Sequence, residues 1–348
     1  MTNDQRQPRN IPQGDTPRTG VTHSRAGSTP LRSTPHRSTT RDDLLAVSWR
    51  LEPRDYVIAH LLAEHRFLTT DQLAAVLFTS MRTCRNRLNV LRKIGFIDWF
   101  MPRHPQLGRL PVHWVPGRLS ARYVALYQGK PPPSARTARD QRDAYPAAGT
   151  RTGHLIHDDG AHQFFIDLLV HQRQHPEARL QRWWSPTRFA ERVSDATTRP
   201  DGHGVWAEDD EPVGFFLEHD TGTMSHPDRA AKLPGYRSLR NKGMAWPVLF
   251  WLPTAAIDAN FHRRLAGRTG GVLVATASRA YAADHGGPAG PVWHVIGDGR
   301  RRLRLAELPG PVGTGDDAGD AAAAKRPGPP TPDEDPLYLL HADAYPPA

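Results

Sequence analysis

Two groups of side chains in this chain have the types and spacing to do chemistry. The first is acidic: Asp201 in RPDG and Glu218 in FFLEHDTG. Each stands on or beside a stretch that reads as a strand, and neighbouring antiparallel strands would bring the two carboxylates close together. Paired carboxylates hold Mg²⁺, which activates water and stabilises charge on a phosphate being cut. The second group is basic. Arg82, Arg85, Asn86, Asn89 and Lys93 fall on the face that the apolar stripe of a helix leaves free. Arginine forks onto guanine and asparagine onto adenine in the major groove, so these types suit base reading, while Arg87 and Arg92 suit phosphates.

The elements that must position the basic group lie between Leu51 and Tyr127. Pro53 suits the first turn of a helix whose Ile58, Leu61, Leu62 and His65 share a face. Thr69 and Gln72 form a capping box for a second helix with Leu73, Val76 and Leu77 inward. Ser80 caps the third, in which Met81, Cys84, Leu88 and Leu91 repeat at helical spacing until Gly95 offers a left-handed stop. A strand through Phe96, Ile97, Trp99 and Phe100 and its partner, Val112 to Val115, flank a loop carrying Arg103, His104 and Arg109. Helix, helix, basic helix and wing outline a winged helix-turn-helix, with the third helix as the reader and Arg103 and Arg109 along the backbone of a duplex. The bland alternative is a basic helix face that is merely solvated.

The acidic group sits in a region that alternates helix and strand from about Gly153 to Leu308. Helices are expected at His157 to Gln174, at Pro227 to Leu233 where Pro234 and Gly235 should break it, and at Ile257 to Leu265. Strands are expected at Leu180 to Trp184, Arg199 to Trp206, Val213 to Thr221, Val248 to Leu252 and Val272 to Thr276, with a last pair near Val292 to Ile296 and Leu303 to Leu305. The expected class is α/β, a mixed sheet with helices on its faces. The order of elements and motifs resembles the restriction-endonuclease-like fold, whose nucleases carry Pro-Asp and then an acidic residue, any residue and lysine. Here the lysine position is Asp220. Lys232 on the following helix could reach back in its place, and Lys242 is a weaker substitute. With no lysine in register the reading leans away from catalysis, leaving Asp201 and Glu218 as remnants or strand-end residues and Asp220 and Thr221 as caps.

The winged helix followed by RPDG, FFLEHDTGT and KLPGYR resembles the replication-relaxation family of actinobacterial plasmids and mobile elements. The resemblance covers about residues 50 to 308. It implies a winged helix ahead of an endonuclease-like domain and DNA binding linked to plasmid replication. By position it carries Asp201, Glu218, Asp220, Lys232 and Tyr236 over to the family's acidic strand and the Lys and Tyr segment after it.

Length and charge bound the rest. The 348 residues, 38% hydrophobic, are enough for two domains with their own cores and tails. Residues 44–130 carry 13 basic against 5 acidic side chains and residues 151–308 carry 20 against 18, so nearly all the phosphate-seeking excess of the +9 total falls on the first domain. Residues 1–43 read as a disordered basic arm, 44–130 as the winged helix, 131–152 as a linker, 153–308 as the endonuclease-like domain and 309–348 as an acidic disordered tail. Within that tail, Leu337 to Tyr345 is apolar enough to dock on its own chain or on a partner. No run approaches the roughly 18 apolar residues of a membrane span, and the N-terminus lacks a signal peptide's apolar core, so the cytoplasm is expected. The single cysteine, Cys84, reads as core.

Other candidates are set aside. His154, His157, Asp158 and His162 crowd one helix start without a partner cluster, so neither a metal site nor a His-Asp dyad is read there. Trp183, Trp184, Trp246 and Trp251 read as core, and Gly270 with Gly271 lacks the pattern of a phosphate loop, so no nucleotide cofactor is expected. The leading expectation is a regulator of plasmid replication or transcription that binds double-stranded DNA, without a membrane, with a homodimer and replication proteins as further partners. A Mg²⁺-dependent nuclease using Asp201, Glu218 and Lys232 is the chief alternative, and a protein-binding adaptor the third.

Overall fold

The computed structural model describes residues 41–104, 107–134, 136–137, 154–193, 195–209, 211–222, 225–298 and 301–309, together with Leu337. Most of the expected basic arm, linker and acidic tail lies outside the described residues. The architecture is mixed α/β.

The N-terminal part holds α1 (Arg41–Ser48), α2 (Pro53–His65), α3 (Thr70–Leu77) and α4 (Met81–Lys93). Short β1 (Leu68–Thr69), β2 (Ile97–Phe100) and β5 (His113–Pro116) form an antiparallel sheet in the order β1-β5-β2, and β3 (Arg103–His104) pairs with β4 (Gly108–Arg109) in a separate hairpin. The start and stop signals operate as the sequence suggests. Pro53 opens α2, where its missing N–H costs nothing. The Gln72 amide N–H donates to Thr69 Oγ1 at 3.2 Å while Gln72 Oε1 accepts from the Thr69 amide at 2.9 Å. Ser80 Oγ accepts from the Thr83 amide at 3.2 Å, and Gly95, at φ +77°, ends α4. Val57, Ile58, Leu61, Leu62, Leu73, Cys84, Leu88 and Leu91 are buried, and burial pushes the Cys84 thiol up to about 12, consistent with a packing role.

Besides α1, which the sequence reading did not include, two features escape it here. A fifth helix, α5 (Arg118–Tyr127), closes this part and buries Leu119, Ser120, Val124 and Ala125. Gly117 precedes it because a Cβ there would stand 2.5 Å from the Phe96 carbonyl oxygen. The second concerns Arg87, expected to hold a phosphate. Its Nε donates to Asp55 Oδ1 at 3.0 Å, its Nη2 to the other Asp55 oxygen and to the Arg50 carbonyl at 2.8 Å, and its Nη1 lies 3.0 Å from Glu52. Asp55 is fully buried, so Arg87 neutralises an interior charge and clamps α4 to α2, its guanidinium engaged within the fold and not turned outward like its neighbours on α4.

The C-terminal part is a six-stranded sheet in the order β11-β10-β9-β8-β7-β6, formed by β6 (Ala178–Trp184), β7 (Gly202–Glu208), β8 (Glu211–His219), β9 (Val248–Leu252), β10 (Val274–Ser278) and β11 (His294–Val295). The pairs β8–β9 and β9–β10 are parallel and the others antiparallel. Strand alternation sends Phe215, Leu217, Leu249 and Trp251 to one face, against Phe164 and Phe165 of the long helix α6 (His154–Gln174). It sends Phe216, Val248, Phe250 and Leu252 to the other, where α7 (Pro186–Arg192), α9 (Leu233–Asn241) and α10 (Ala255–Leu265) contribute Phe189, Leu233, Tyr236, Leu239, Phe261 and Leu265. The expected helix through Pro227 to Leu233 is in fact a short α8 (His226–Ala230) followed by α9. Pro234 opens α9 rather than ending its predecessor, because a first-turn residue needs no amide hydrogen. All four tryptophans read as core are buried, and Leu337 is fully buried in the cluster on the α6 side, docking that point of the tail on its own chain.

One apolar cluster spans the expected boundary between the two parts, running from Val57 and Leu73 through Phe164 to Trp251. Polar contacts reinforce it: Gln72 Nε2 donates to the Asp159 carbonyl at 3.2 Å, His113 Nε2 lies 2.8 Å from Asp159 Oδ2, Arg173 donates to the Ala75 carbonyl at 2.6 Å and Arg188 to Glu64 at 2.7 Å. The His65 ring stacks on Trp183 at 3.6 Å between centroids and approaches His162 edge-on. Burial lowers His60 and His162 to about 4 and holds His65 well below its ordinary value.

Replacing Arg87 with Ala strands the buried Asp55 carboxylate, so chemical denaturation should show a loss of about 3 kcal/mol. The same change at exposed Arg85 should stay within about 0.5 kcal/mol. Because the three buried histidines bind protons more weakly folded than unfolded, their contribution is complete above the ordinary 6.5 and is lost as pH falls, through about 4 for His60 and His162. Thermal midpoints should therefore begin to decline below about pH 6.5, before carboxylates titrate; a flat midpoint down to about pH 5 contradicts this.

Candidate functional site

Helix α4 presents two unlike sides. Cys84, Leu88 and Leu91 point into the core, whereas Arg82, Arg85, Asn86, Asn89 and Lys93 are all exposed. The division follows from the 3.6-residue period and from the clamp at Arg87, which fixes the rotation of the helix on α2. Arg92 is exposed too, its guanidinium 5.1 Å from the centre of the Trp99 ring. In the β3–β4 hairpin Arg103 stands opposite Arg109, both exposed, and the Leu107 amide donates to His104 Nδ1 at 3.2 Å. The basic residues named from sequence thus share the outer surface of one part of the molecule, with Arg87 excepted.

The acidic group converges at the end of β8. Asp201 directly precedes β7, its amide donates to the Leu217 carbonyl at 2.9 Å, and its Oδ2 accepts from the His219 amide at 2.8 Å. Antiparallel pairing of Gly202 with Leu217 sets this juxtaposition. Glu218 is 2% exposed and faces the α9 side of the sheet, like Phe216. Lys232, the residue capping α9, donates to Glu218 Oε2, and the Tyr236 hydroxyl, one helical turn on, donates to Oε1. Lys232 therefore does reach back. Lys242 does not: its Nζ donates to the Asp195 carbonyl at 2.9 Å. Asp220, in the place where a lysine would stand, is buried and paired with Arg229 while its other oxygen accepts from the Gly222 amide at 2.6 Å.

One member of the cluster was set aside in the sequence. His157, in the first turn of α6, places Nε2 3.1 Å from Asp201 Oδ2 and Nδ1 3.4 Å from Asp158 Oδ1. Its neighbours His154, Asp158 and His162 were visible beside it, but the partner that matters comes from a different element. His219 lies behind it, edge-on to His157 at 5.3 Å, with Nε2 accepting from Arg279 at 3.1 Å.

Electrostatics follow from this arrangement. Burial lifts Glu218, and the Asp201 carboxylate lifts it further against the pull of Lys232 and Tyr236. Burial works to lower Lys232, but Glu218 and Asp201 together outweigh it and hold the ammonium protonated. The same competition raises His157 to about 10, since Asp158 and Asp201 overcome its desolvation. Tyr236, buried among carboxylates, stays neutral and keeps its proton to donate. His219 is driven the other way, to about 2, by burial and by Arg279. Lys232 and His157 thus stand as cations among the Asp201, Glu218 and Asp158 carboxylates.

The donor set does not fit the Mg²⁺ expected of a carboxylate pair. Both oxygens of Glu218 and one of Asp201 already accept from N–H or O–H groups, and an ammonium lies where a cation would have to bind. Among the described residues no three His, Cys, Asp or Glu side chains converge as a metal site. A hard divalent ion takes oxygen ligands around a full coordination sphere and would have to displace Lys232 or Tyr236 to find them.

These features define a mixed α/β protein that joins an exposed basic helix to a buried carboxylate, lysine and tyrosine cluster. The model of the replication-relaxation family matches residues 60–254, more than half of the chain, and the protein belongs to that family. No curated protein and no solved structure matches it. Among the described residues no helix is long and apolar enough to cross a membrane.

If Asp201 is what holds His157 protonated, Asp201→Asn should lower the His157 titration midpoint from about 10 toward the ordinary 6.5. The drop, followed by NMR of the ring, should be about 1 pH unit or more. An unchanged midpoint would assign the effect to Asp158 alone.

Proposed function

We propose that the protein binds duplex DNA through a winged helix-turn-helix formed by α2 to α4 and the β2–β5 hairpin, in the service of plasmid replication-relaxation or its transcriptional control. The observation that carries this reading is the outward face of α4, where Arg82, Arg85, Asn86, Asn89 and Lys93 stand exposed side by side. Two arginines and two asparagines in that pattern match the hydrogen-bonding edges of guanine and adenine. Arg103 and Arg109 on the β3–β4 hairpin supply phosphate contacts flanking the reader, and family membership agrees with a DNA-centred role. The six-stranded part, with its endonuclease-like order of elements, serves as a support and a second DNA contact.

A second reading, phosphodiester cleavage at Asp201, Glu218 and Lys232, is favoured by one observation: Lys232 reaches Glu218 from a shifted position. The full engagement of Glu218 weighs against it, so DNA is occupied rather than cut.

Each bidentate base contact contributes about 1–3 kcal/mol, so Arg85→Ala with Asn89→Ala should weaken binding of a selected duplex at least about tenfold in fluorescence anisotropy. Unchanged affinity contradicts the assignment of α4. Incubated with supercoiled DNA with and without Mg²⁺, the protein should retain the DNA and leave it unnicked. Nicks that vanish with Asp201→Ala would replace the first reading with the second.

A further inference from the structure

The near-neutral charge of the C-terminal part conceals a sharp segregation. Residues 229–283 contain nine Lys and Arg against one acidic residue, Asp258, which is 2% exposed. Residues 195–228 show the reverse, with nine Asp and Glu against the single Arg199. Several cations of the basic stretch converge. A Cβ built on Gly270 would fall 1.9 Å from Arg237 Nη2, and one on Gly271 would fall 2.6 Å from Arg240 Nη1, so both guanidinium groups lie on the turn that also carries Arg268. Gly270 and Gly271, at φ +63° and +82°, leave the room those groups use. Arg237, Arg240 and Arg268 are exposed, as are Arg263 and Arg264 at the end of α10. The exposed large apolar side chains of the described residues, Leu45, Trp49, Leu107, Leu126 and Tyr127, all lie in the N-terminal part, so this patch is cationic without the apolar anchors of a protein or membrane interface.

From this we infer that α9 and the turn between α10 and β10 form a second binding face, which takes the phosphate backbone of a second duplex segment. The inference rests on the proposed DNA binding by α4 and extends it. Arginine is suited to phosphate by its planar fork, and clustered positive charge without opposing carboxylates is the footprint of backbone binding. Position decides that the segment is a second one. Helices α2 to α4 pack on the α6 side of the sheet, whereas α9 and α10 cover the other side. The two basic surfaces therefore belong to different helix layers, which is the ground for assigning them separate duplex segments. Helix α9 turns Lys232 and Tyr236 toward Glu218 and Arg237 and Arg240 toward solvent, which brings the second segment alongside the carboxylate cluster.

A bridging assay tests this with the full chain. One duplex is fixed to beads, the protein is added, and capture of a second, labelled duplex is measured for the parent, for Arg237→Ala/Arg240→Ala/Arg268→Ala and for Arg85→Ala. The triple variant should melt with the parent and bind the fixed duplex within about twofold, yet capture at least about tenfold less of the second. Capture undiminished in the triple variant but lost with Arg85→Ala would overturn the inference, because paired copies bridging through α4 would explain it. Binding of the fixed duplex with no capture by the parent would also overturn it and leave the α4 reading standing. No retention of the fixed duplex by the parent would remove both.

Discussion

The structure depends on the packing of α6 on two sides at once. Phe164 and Phe165 must be buried against the sheet, while Asp159, Gln163 and Arg173 meet α3 and β5 across the opposite flank. A helix held this way cannot slide or rotate without opening one contact, since cores are close-packed and tolerate little displacement. Through it the basic helix and the carboxylate cluster take a fixed relation although their sequences stand far apart. The same helix delivers His157 to Asp201 from its first turn, so the constraint that assembles the two parts also completes the site.

Charge is distributed by the same logic. Asp55 and Asp220 are buried and each is met by an arginine, which leaves the arginine unavailable to a ligand. Arginine therefore plays two roles here that composition cannot separate: Arg87 and Arg229 neutralise interior carboxylates, while Arg85 and Arg237 stand in solvent. At Glu218 the balance is finer. Its partner ammonium also feels the Asp201 carboxylate, and removal of Asp201 would change the proton affinity of Glu218, Lys232, Tyr236 and His157. Both donors on Glu218 come from one helix, Lys232 at the start of α9 and Tyr236 one turn on.

Much of this was legible in the sequence where local rules govern. Capping by Thr69 and Ser80, the left-handed stop at Gly95, the stripe through Cys84, Leu88 and Leu91, and the main strands depend on neighbours a few residues away. Asp201, Glu218 and Lys232 came together as expected because strand pairing and one intervening helix fix them. What escaped depends on partners distant in sequence. Asp55 and Arg87 carried no mark of being paired, His157 finds its partner in Asp201 just ahead of β7, and Pro234 reads as a breaker until the preceding helix is seen to end before it. The basic face on α9 was hidden by averaging, since the acidic run before it cancels its charge in any tally of the whole region.

The claim on which the account turns is that the outward face of α4 meets double-stranded DNA. The most direct measurement places a photo-activated cross-linking residue at Asn86 and, as a control, at exposed Glu177, and irradiates each with duplex DNA. The account expects a DNA adduct from position 86 that is lost as salt rises, and none from position 177. No adduct from position 86 under conditions where the duplex is retained would contradict it.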